Sequence, residues 1–297
     1  MIKTWIKALR LRTLPLATGA IILGTFLPYS QGYFDVQIFV FTMITALGLQ
    51  TISNLANDYG DFLKGSDIHR KDRILNTGSL QPSAMKTGII ISSIITFLSG
   101  IYLLFLAFDN ISKFAIYLLL GIAGIIAALK YTLGKKPYGY RAMGDIFVFV
   151  FFGFVAVFCT AYLQNNVIHI WWLFPAFAYG FLSVAVLNIN NTRDIETDKA
   201  NHKITIPVLV GHTNARVYQL LLCISALLFM VFYVLRISQN YLFLLSLLGF
   251  IPIFINVFIF TINKKMSHEK YTKLLKFFVL GSLFFVLSFV GIFLVLS

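Results

Sequence analysis

Hydrophobic residues run through this chain in long blocks, and polar residues gather between them. Nine apolar runs stand out, at 14–29, 36–53, 88–108, 114–129, 146–163, 171–187, 217–235, 241–262 and 274–296. Most approach the length an α-helix needs to cross about 30 Å of hydrocarbon at about 1.5 Å per residue. A helix satisfies its own backbone hydrogen bonds where lipid cannot, so runs of this kind predict helices. The expected fold is all-α: a polytopic membrane protein whose nine transmembrane helices bundle around a central cavity. No Pro-, Gly- or Ser-rich linker interrupts the pattern, so residues 1–297 read as one integral-membrane domain. The first run is short and follows Lys3, Lys7, Arg10 and Arg12, a layout that a signal peptide shares. No small-residue cleavage site follows it, and Pro15 suits a first helical turn, so it reads as a retained helix.

Charge orients these runs. The N-terminal residues and the connections at 64–86, 130–141, 193–216 and 264–276 hold nearly all of the 24 Lys and Arg. The alternate connections, around 31–35, 109–113, 164–170 and 236–240, hold only Lys113 and Arg236. The positive-inside rule then predicts a cytoplasmic N-terminus and an outer C-terminus, in keeping with an odd number of spans. The partner expected of these spans is the lipid bilayer. Charged residues make up only 12% of the chain, about half the share of a soluble protein. The net charge of +13 follows the alternation of spans, so no nucleic-acid partner is expected. Cys159 and Cys223 lie inside apolar runs and read as small buried side chains. The five histidines show no HxxxH spacing, which argues against zinc or haem.

The chemistry concentrates in two acidic stretches, each at the end of an apolar run. The first is Asn54-Leu-Ala-Asn57-Asp58-Tyr-Gly-Asp61-Phe-Leu-Lys64-Gly-Ser-Asp67, and the second is Asn188-Ile-Asn190-Asn191-Thr-Arg193-Asp194-Ile-Glu196-Thr-Asp198. Of the 11 acidic residues, Asp58, Asp61, Asp67, Asp194, Glu196 and Asp198 fall here. Carboxylates near lipid are costly, so their grouping calls for a reason. Asn57 and Asp61 share a four-residue spacing with Asn190, Asp194 and Asp198, which places each set on one helix face. Oxygen-only ligands of this type suit Mg2+, which binds carboxylates and bridges to phosphates. Asn57, Asp58, Asp61 and Asp67 could hold one ion, and Asn190, Asp194 and Asp198 a second. Helix capping by Asn and Asp is the plainer alternative. Cations accompany the acids: Arg70, Lys71 and Arg73 after the first stretch, Lys199 and Lys203 after the second, and Lys130, Lys135, Lys136 and Arg141 in a loop shaped by Gly134, Pro137 and Gly139. Carboxylates for metal with Lys and Arg for phosphate form the combination a diphosphate requires.

These motifs resemble the UbiA-type intramembrane prenyltransferases, and most closely their 1,4-dihydroxy-2-naphthoate polyprenyltransferase branch. The resemblance rests on the two acidic stretches and on Tyr131-Thr-Leu-Gly-Lys135-Lys-Pro-Tyr138-Gly-Tyr-Arg141 followed by Gly144-Asp145, with Lys203, Thr205 and Gly211 continuing the last motif. It implies Mg2+, a polyprenyl diphosphate donor, and 1,4-dihydroxy-2-naphthoate as an acceptor that loses CO2 to give demethylmenaquinone. It also implies that Asp61, Asp194, Asp198 and Arg141 serve catalysis. Arg12, Asn54, Lys64, Arg70, Arg73, Tyr131, Lys135, Tyr138, Arg141, Asp145 and Lys203 would contact substrate. The family often places Gly before the lysine of the second motif, where this chain has His202, and the stretch Asp72-Arg-Ile-Leu-Asn-Thr-Gly78 departs from the pattern of one subgroup. Other acceptors on the same fold (4-hydroxybenzoate, homogentisate) remain open, as does a cation-coupled secondary transporter.

Overall fold

The computed structural model describes residues 2–65 and 74–296. The helices in chain order are α1 (Ile2–Ala8), α2 (Leu14–Tyr29), α3 (Val36–Leu63), α4 (Pro82–Ala107), α5 (Ile111–Lys130), α6 (Gly144–Asn165), α7 (Ile170–Arg193), α8 (Ile195–Ala200), α9 (Ile206–Ile237), α10 (Tyr241–Ile262) and α11 (His268–Leu296). Two of them change winding: Phe149–Cys159 of α6 is π-helical, and Tyr241–Phe250 of α10 is 3₁₀. Among the described residues there is no strand, only an isolated bridge between Arg141 and Ile204. Nine helical spans among these residues are long and apolar enough to cross a membrane, and each covers one of the nine apolar runs, to within a residue at 108. The fold is therefore the all-helical, polytopic one expected from the sequence.

The helices outrun the apolar stretches that predict them. α3 carries on for ten residues past 53, about three further turns, so the first acidic stretch is helical as far as Leu63. α7 continues from 187 to Arg193, and α9 begins at Ile206 rather than 217, with non-helical dihedrals at Gly211. Local chemistry sets several ends. The Asn110 side chain accepts from the backbone N–H of Ser112 and Lys113 and starts α5. Pro82 sits where α4 has no need of its missing N–H.

The chain divides into two compact units. The first comprises Met1–Leu14, Val36–Gly144 and Glu196–Thr205. Here α3 lies close to α4: a Cβ on Gly48 would stand 2.2 Å from Thr96 Oγ1, so only glycine permits the approach. Thr45 and Ser99 hydroxyls meet at 3.0 Å along the same seam. Ala8, Leu55, Ala56, Ile74, Leu75, Met85 and Ile89 form a buried cluster, with Trp5 of α1 packed against it. That contact fastens the N-terminal segment to the end of α3 that bears the acids.

The second unit comprises Pro15–Asp35, Asp145–Ile195 and Ile206–Ser297. Polar clips join its helices where lipid gives no hydrophobic drive. The buried Tyr179 hydroxyl of α7 donates to Leu16 O at 2.7 Å. Asn188 Nδ2 donates to Ala215 O and Gln219 Oε1 of α9, at 2.9 and 2.8 Å. Asn256 Nδ2 reaches Leu274 O at 2.8 Å, joining α10 to α11. Phe26 meets Phe289 and Phe293 edge to face, at centroid distances of 5.8 and 5.4 Å. In both units large apolar side chains such as Phe105, Leu119 and Phe258 stay exposed, as a lipid-facing surface requires.

Candidate functional site

Within the first unit, segments far apart in sequence meet around Asp61. Asp61 lies near the end of α3 and is buried, as are Asp58 one turn earlier and Asp198 of α8. Burial of a carboxylate is tolerable only with compensation, and each of the three has it. The Tyr140 hydroxyl donates to Asp61 Oδ1 at 2.9 Å. Lys203 Nζ lies 3.3 Å from Asp198 Oδ1. Arg10 pairs with Asp58 from the N-terminal segment.

Two ammonium groups gather at Tyr140. Lys64 Nζ lies 3.8 Å from its ring centroid and Lys203 Nζ 5.5 Å, both within cation–π range. Lys64 Nζ also donates to Thr132 O at 2.8 Å. Burial alone would pull the Lys203 pKa down, but the charges of Asp198 and Asp61 outweigh it and hold the value above the ordinary lysine range. Desolvation lowers the pKa of Lys64, opposed by Asp61. Both lysines thus act in the field of Asp61, and Lys203 couples that residue of the first acidic stretch to Asp198 of the second.

The backbone holds this arrangement. Ala142 N donates to Ile204 O at 2.8 Å and Ile204 N to Tyr140 O at 3.2 Å, tying the 131–143 loop to the segment that carries Lys203. Gly139 N donates to Tyr131 O, and a Cβ on Gly139 would come within 2.6 Å of that same oxygen. The turn that presents Tyr140 therefore depends on glycine. Tyr138, edge-on to Tyr131 at 5.4 Å, donates its hydroxyl to Ala127 O and caps the end of α5. Burial pushes the Tyr138 pKa up, which keeps that donor protonated. Lys135 and Arg141 are exposed on this loop. His202, where the family often has glycine, sits in the left-handed region at φ 52°, which gives that preference its physical reason.

The second unit holds the rest of the second stretch, and its geometry corrects one expectation. Asn190, Asp194 and Asp198 do not share a continuous helix face. α7 ends at Arg193, Asp194 lies in the break at φ −102° and ψ 11°, and Asp198 belongs to the separate helix α8. At that break the Arg193 guanidinium grips both oxygens of Asp194, at 2.7 and 2.6 Å, and donates to Asn190 Oδ1 at 2.9 Å. His268 Nε2 lies 3.6 Å from Asp194 Oδ1. Asp145, in the first turn of α6, accepts from the Tyr218 hydroxyl at 2.9 Å.

Other expected residues differ in what they do. Asn54 directs its amide N–H groups to Leu9 O and Thr13 Oγ1, so it pins the N-terminal segment. Arg12 is exposed and borders a cleft of about 500 Å³ beside Lys3, Lys7, Arg10 and Asp58. Asp67, Arg70 and Arg73 lie outside the described residues. Three contributors were not singled out by the sequence reading: Arg10, Arg193 and, as a partner of Asp61, Tyr140. Arg193 carries the one local signal, since it adjoins Asp194 and stands three residues after Asn190.

The donor set in the first unit fits a hard cation. Asn57 Oδ1 is buried without a hydrogen-bond partner among the described residues, on the same face of α3 as Asp61 one turn on. Among those residues no group of three or more His, Cys, Asp or Glu is gathered as a ready metal cluster. Asp194 fits less directly, because both of its oxygens are held by Arg193.

Comparison with known proteins agrees with this architecture. The chain is similar to 1,4-dihydroxy-2-naphthoate octaprenyltransferase of Escherichia coli, 45% identical over 230 residues that cover 76% of this chain and 74% of that one. The Haemophilus influenzae protein of the same name is 42% identical over 255 residues, covering 83% and 82%. The fold is similar to that of a UbiA homolog from Archaeoglobus fulgidus bound to GPP and Mg2+, with a TM-score of 0.64 at 17% identity over 97% of this chain and 99% of that one. A UbiA homolog from Aeropyrum pernix K1 gives a TM-score of 0.64 at 16% identity over 96% of each chain. A model of the UbiA prenyltransferase family matches residues 17–281, and the chain belongs to that family.

Proposed function

We propose that this protein transfers a polyprenyl group from polyprenyl diphosphate to 1,4-dihydroxy-2-naphthoate, with loss of CO2, in a bacterial cytoplasmic membrane. The observation that carries the reading is the cluster of Asp61, Tyr140, Lys203, Asp198 and Lys64, which sets two buried carboxylates and two ammonium groups side by side. A diphosphate bound with a divalent cation needs both kinds of group. The naphthoate specificity named for the E. coli and H. influenzae relatives supports the acceptor, and their octaprenyl names support a donor of that length. The Mg2+ present with GPP in the A. fulgidus homolog supports magnesium as the metal.

In this reading Asn57, Asp58, Asp61 and Asp198 would hold the metal in the first unit. Asn190 and Asp194 would serve in the second unit, where the Arg193 clasp fixes the orientation of the Asp194 carboxylate. A metal held there would supply positive charge against the leaving diphosphate. Lys64 and Lys203 bind the phosphate oxygens and stabilise the charge that grows on them as the allylic C–O bond breaks. The diphosphate departs with the electron pair of that bond. The electron-rich naphthoate ring then attacks the allylic carbon at the position bearing its carboxylate. Cleavage of the ring–carboxylate bond releases CO2 and returns the electron pair to the ring, so the product forms as the quinol. Arg141, exposed on the loop tied to Ile204, would meet an anionic group of donor or acceptor. Loops that exclude water keep the cation for the ring.

The test is turnover by purified protein with octaprenyl diphosphate and 1,4-dihydroxy-2-naphthoate, followed by mass spectrometry. Prenylated product one carboxyl group lighter than simple addition, lost on adding EDTA and restored by Mg2+, is the expected result. Prenylation of 4-hydroxybenzoate with its carboxylate retained, and no reaction with the naphthoate, would overturn the acceptor assignment.

A further inference from the structure

Tyr140 is the point at which three segments of the first unit meet. Its hydroxyl donates to Asp61 on α3, its carbonyl accepts from Ile204 N, and its ring faces Lys64 and Lys203. A carboxylate with no fixed donor rotates about its Cβ–Cγ bond. One hydrogen bond at 2.9 Å from a side chain whose own backbone is anchored removes that freedom. The two ammonium groups repel each other, and an aromatic face is a way to hold both near one place without neutralising either. A carboxylate in this position, in place of the tyrosine, would discharge the lysines and compete with an incoming phosphate.

We propose that Tyr140 is a positioning residue with two separable tasks: its hydroxyl fixes the orientation in which Asp61 meets the metal, and its ring seats Lys64 and Lys203 for the diphosphate. This rests on the reading of the cluster as a metal–diphosphate site. Groups that orient metal ligands through a hydrogen bond are worth roughly 10–100-fold in metal affinity, which sets the size of the first effect. The ring effect is of similar order: Lys64 is exposed and Lys203 nearly buried, and cation–π contacts between those limits amount to roughly tenfold in an equilibrium constant.

Two substitutions separate the tasks. Tyr140→Phe keeps the ring and loses the hydroxyl, whereas Tyr140→Leu loses both. The full-length protein is purified in detergent, and Mn2+ binding is followed by electron paramagnetic resonance without substrate. Turnover is then measured while Mg2+ and prenyl diphosphate are varied independently. For Tyr140→Phe we expect Mn2+ binding weakened about tenfold, with the KM for prenyl diphosphate unchanged and kcat near wild type at saturating metal. Tyr140→Leu should weaken metal binding equally and also raise the KM for prenyl diphosphate about tenfold. A merely structural tyrosine would lower melting temperature and kcat together and leave both midpoints in place, which would overturn the proposal. Asp61→Asn serves as the control. If it abolishes Mn2+ binding while Tyr140→Phe binds as wild type, the Tyr140 assignment fails and the metal site stands. If Asp61→Asn also binds Mn2+ normally, the metal site itself fails and the hydroxyl's task with it. Should Tyr140→Leu not fold, Lys64→Met reads the seating of the ammonium group in its place, and an unchanged KM there refutes the ring's task.

Discussion

Replacing Lys203 with methionine removes the cation beside Asp198 while preserving most of the side-chain volume. The pair is separated by 3.3 Å, with side chains only 11% and 9% exposed. At an effective dielectric of about 20, two unit charges at that separation attract by about 5 kcal/mol. Desolvation offsets much of this in the intact pair, but removing one partner leaves the other charge buried, at a cost of about 3–5 kcal/mol. We therefore expect Lys203→Met to lose about 3 kcal/mol, which is roughly 5–10 °C in melting temperature for a chain of this size. The assay is reversible unfolding in detergent without metal, run as a double-mutant cycle with Asp198→Asn. Each single substitution strands a partner, whereas the double strands neither, so it should be markedly less unstable than the sum of the two. A coupling of about 2 kcal/mol is expected, smaller than the single loss because Lys203 also senses Asp61. Additive behaviour, or a Lys203→Met melting curve that overlays the wild type, would refute the reasoning.

The pH dependence of the same cycle has a definite sign. The folded state raises the pKa of Lys203 above its ordinary 10.5. Its contribution is thus fully present below that unfolded value and fades only as pH rises through the higher folded one. The coupling should consequently be equal at neutral and mildly acidic pH. In turnover assays Lys203→Met should raise the KM for prenyl diphosphate about tenfold, the size of one charge-assisted contact.

Asp61→Asn and Asp194→Asn should each lower turnover at least about 100-fold with protein levels in the membrane unchanged, and normal activity in either removes that residue from the metal or catalytic set. Arg193→Lys retains the charge but not the fork that spans Asn190 and Asp194, so turnover should fall about tenfold; wild-type kinetics would show that the clasp is dispensable. At His202, glycine should leave stability unchanged or higher by up to about 1 kcal/mol, whereas valine should lose at least about 1 kcal/mol, and equal melting of the two variants would contradict the left-handed backbone. Single cysteines probed from outside intact cells should be labelled near Gln164 and not near Lys136, and the reverse pattern would place the acidic stretches on the outer face.

How much of this was legible in the sequence depended on the range of each interaction. The spans were legible because lipid imposes a composition on a helix over its whole length, and each of the nine runs matches a helix, to within a residue at 108. Their ends were not, because hydropathy reports where the apolar environment stops and says nothing of where the backbone ladder stops; α3 keeps winding through Asn57, Asp58 and Asp61 to Leu63. The Asn57–Asp61 spacing held because nothing breaks that extension. The matching spacing around Asp194 failed because α7 terminates there, and an arginine beside an aspartate gives no sign of a helix end. Asn54 looked like a member of the acidic motif, yet its partners, Leu9 and Thr13, lie more than forty residues earlier in the chain. Arg10 resembled any other basic residue before a first span. Tyr140 meets Asp61 across 79 positions, a pairing that only the folded loop creates.

The helical extensions explain how a chain so poor in charge can carry this chemistry at all. A carboxylate set within an apolar run would stand in hydrocarbon, where its desolvation is unmatched. A carboxylate on a loose loop would be hydrated but imprecisely held. Continuing α3 beyond its apolar run takes Asp58 and Asp61 out of that run while keeping them on a rigid helix. The remaining cost of burial falls on neighbouring side chains: Arg10 for Asp58 and the neutral hydroxyl of Tyr140 for Asp61, both brought from elsewhere in the chain, and Lys203, five residues on, for Asp198. Asp58 and Asp61 are each stabilised by a group from a different segment, so the charges hold the segments together as much as the segments hold the charges. Removing any one of these partners should therefore be felt in stability as well as in turnover, whereas an exposed cation such as Lys135 can be lost with little effect on folding.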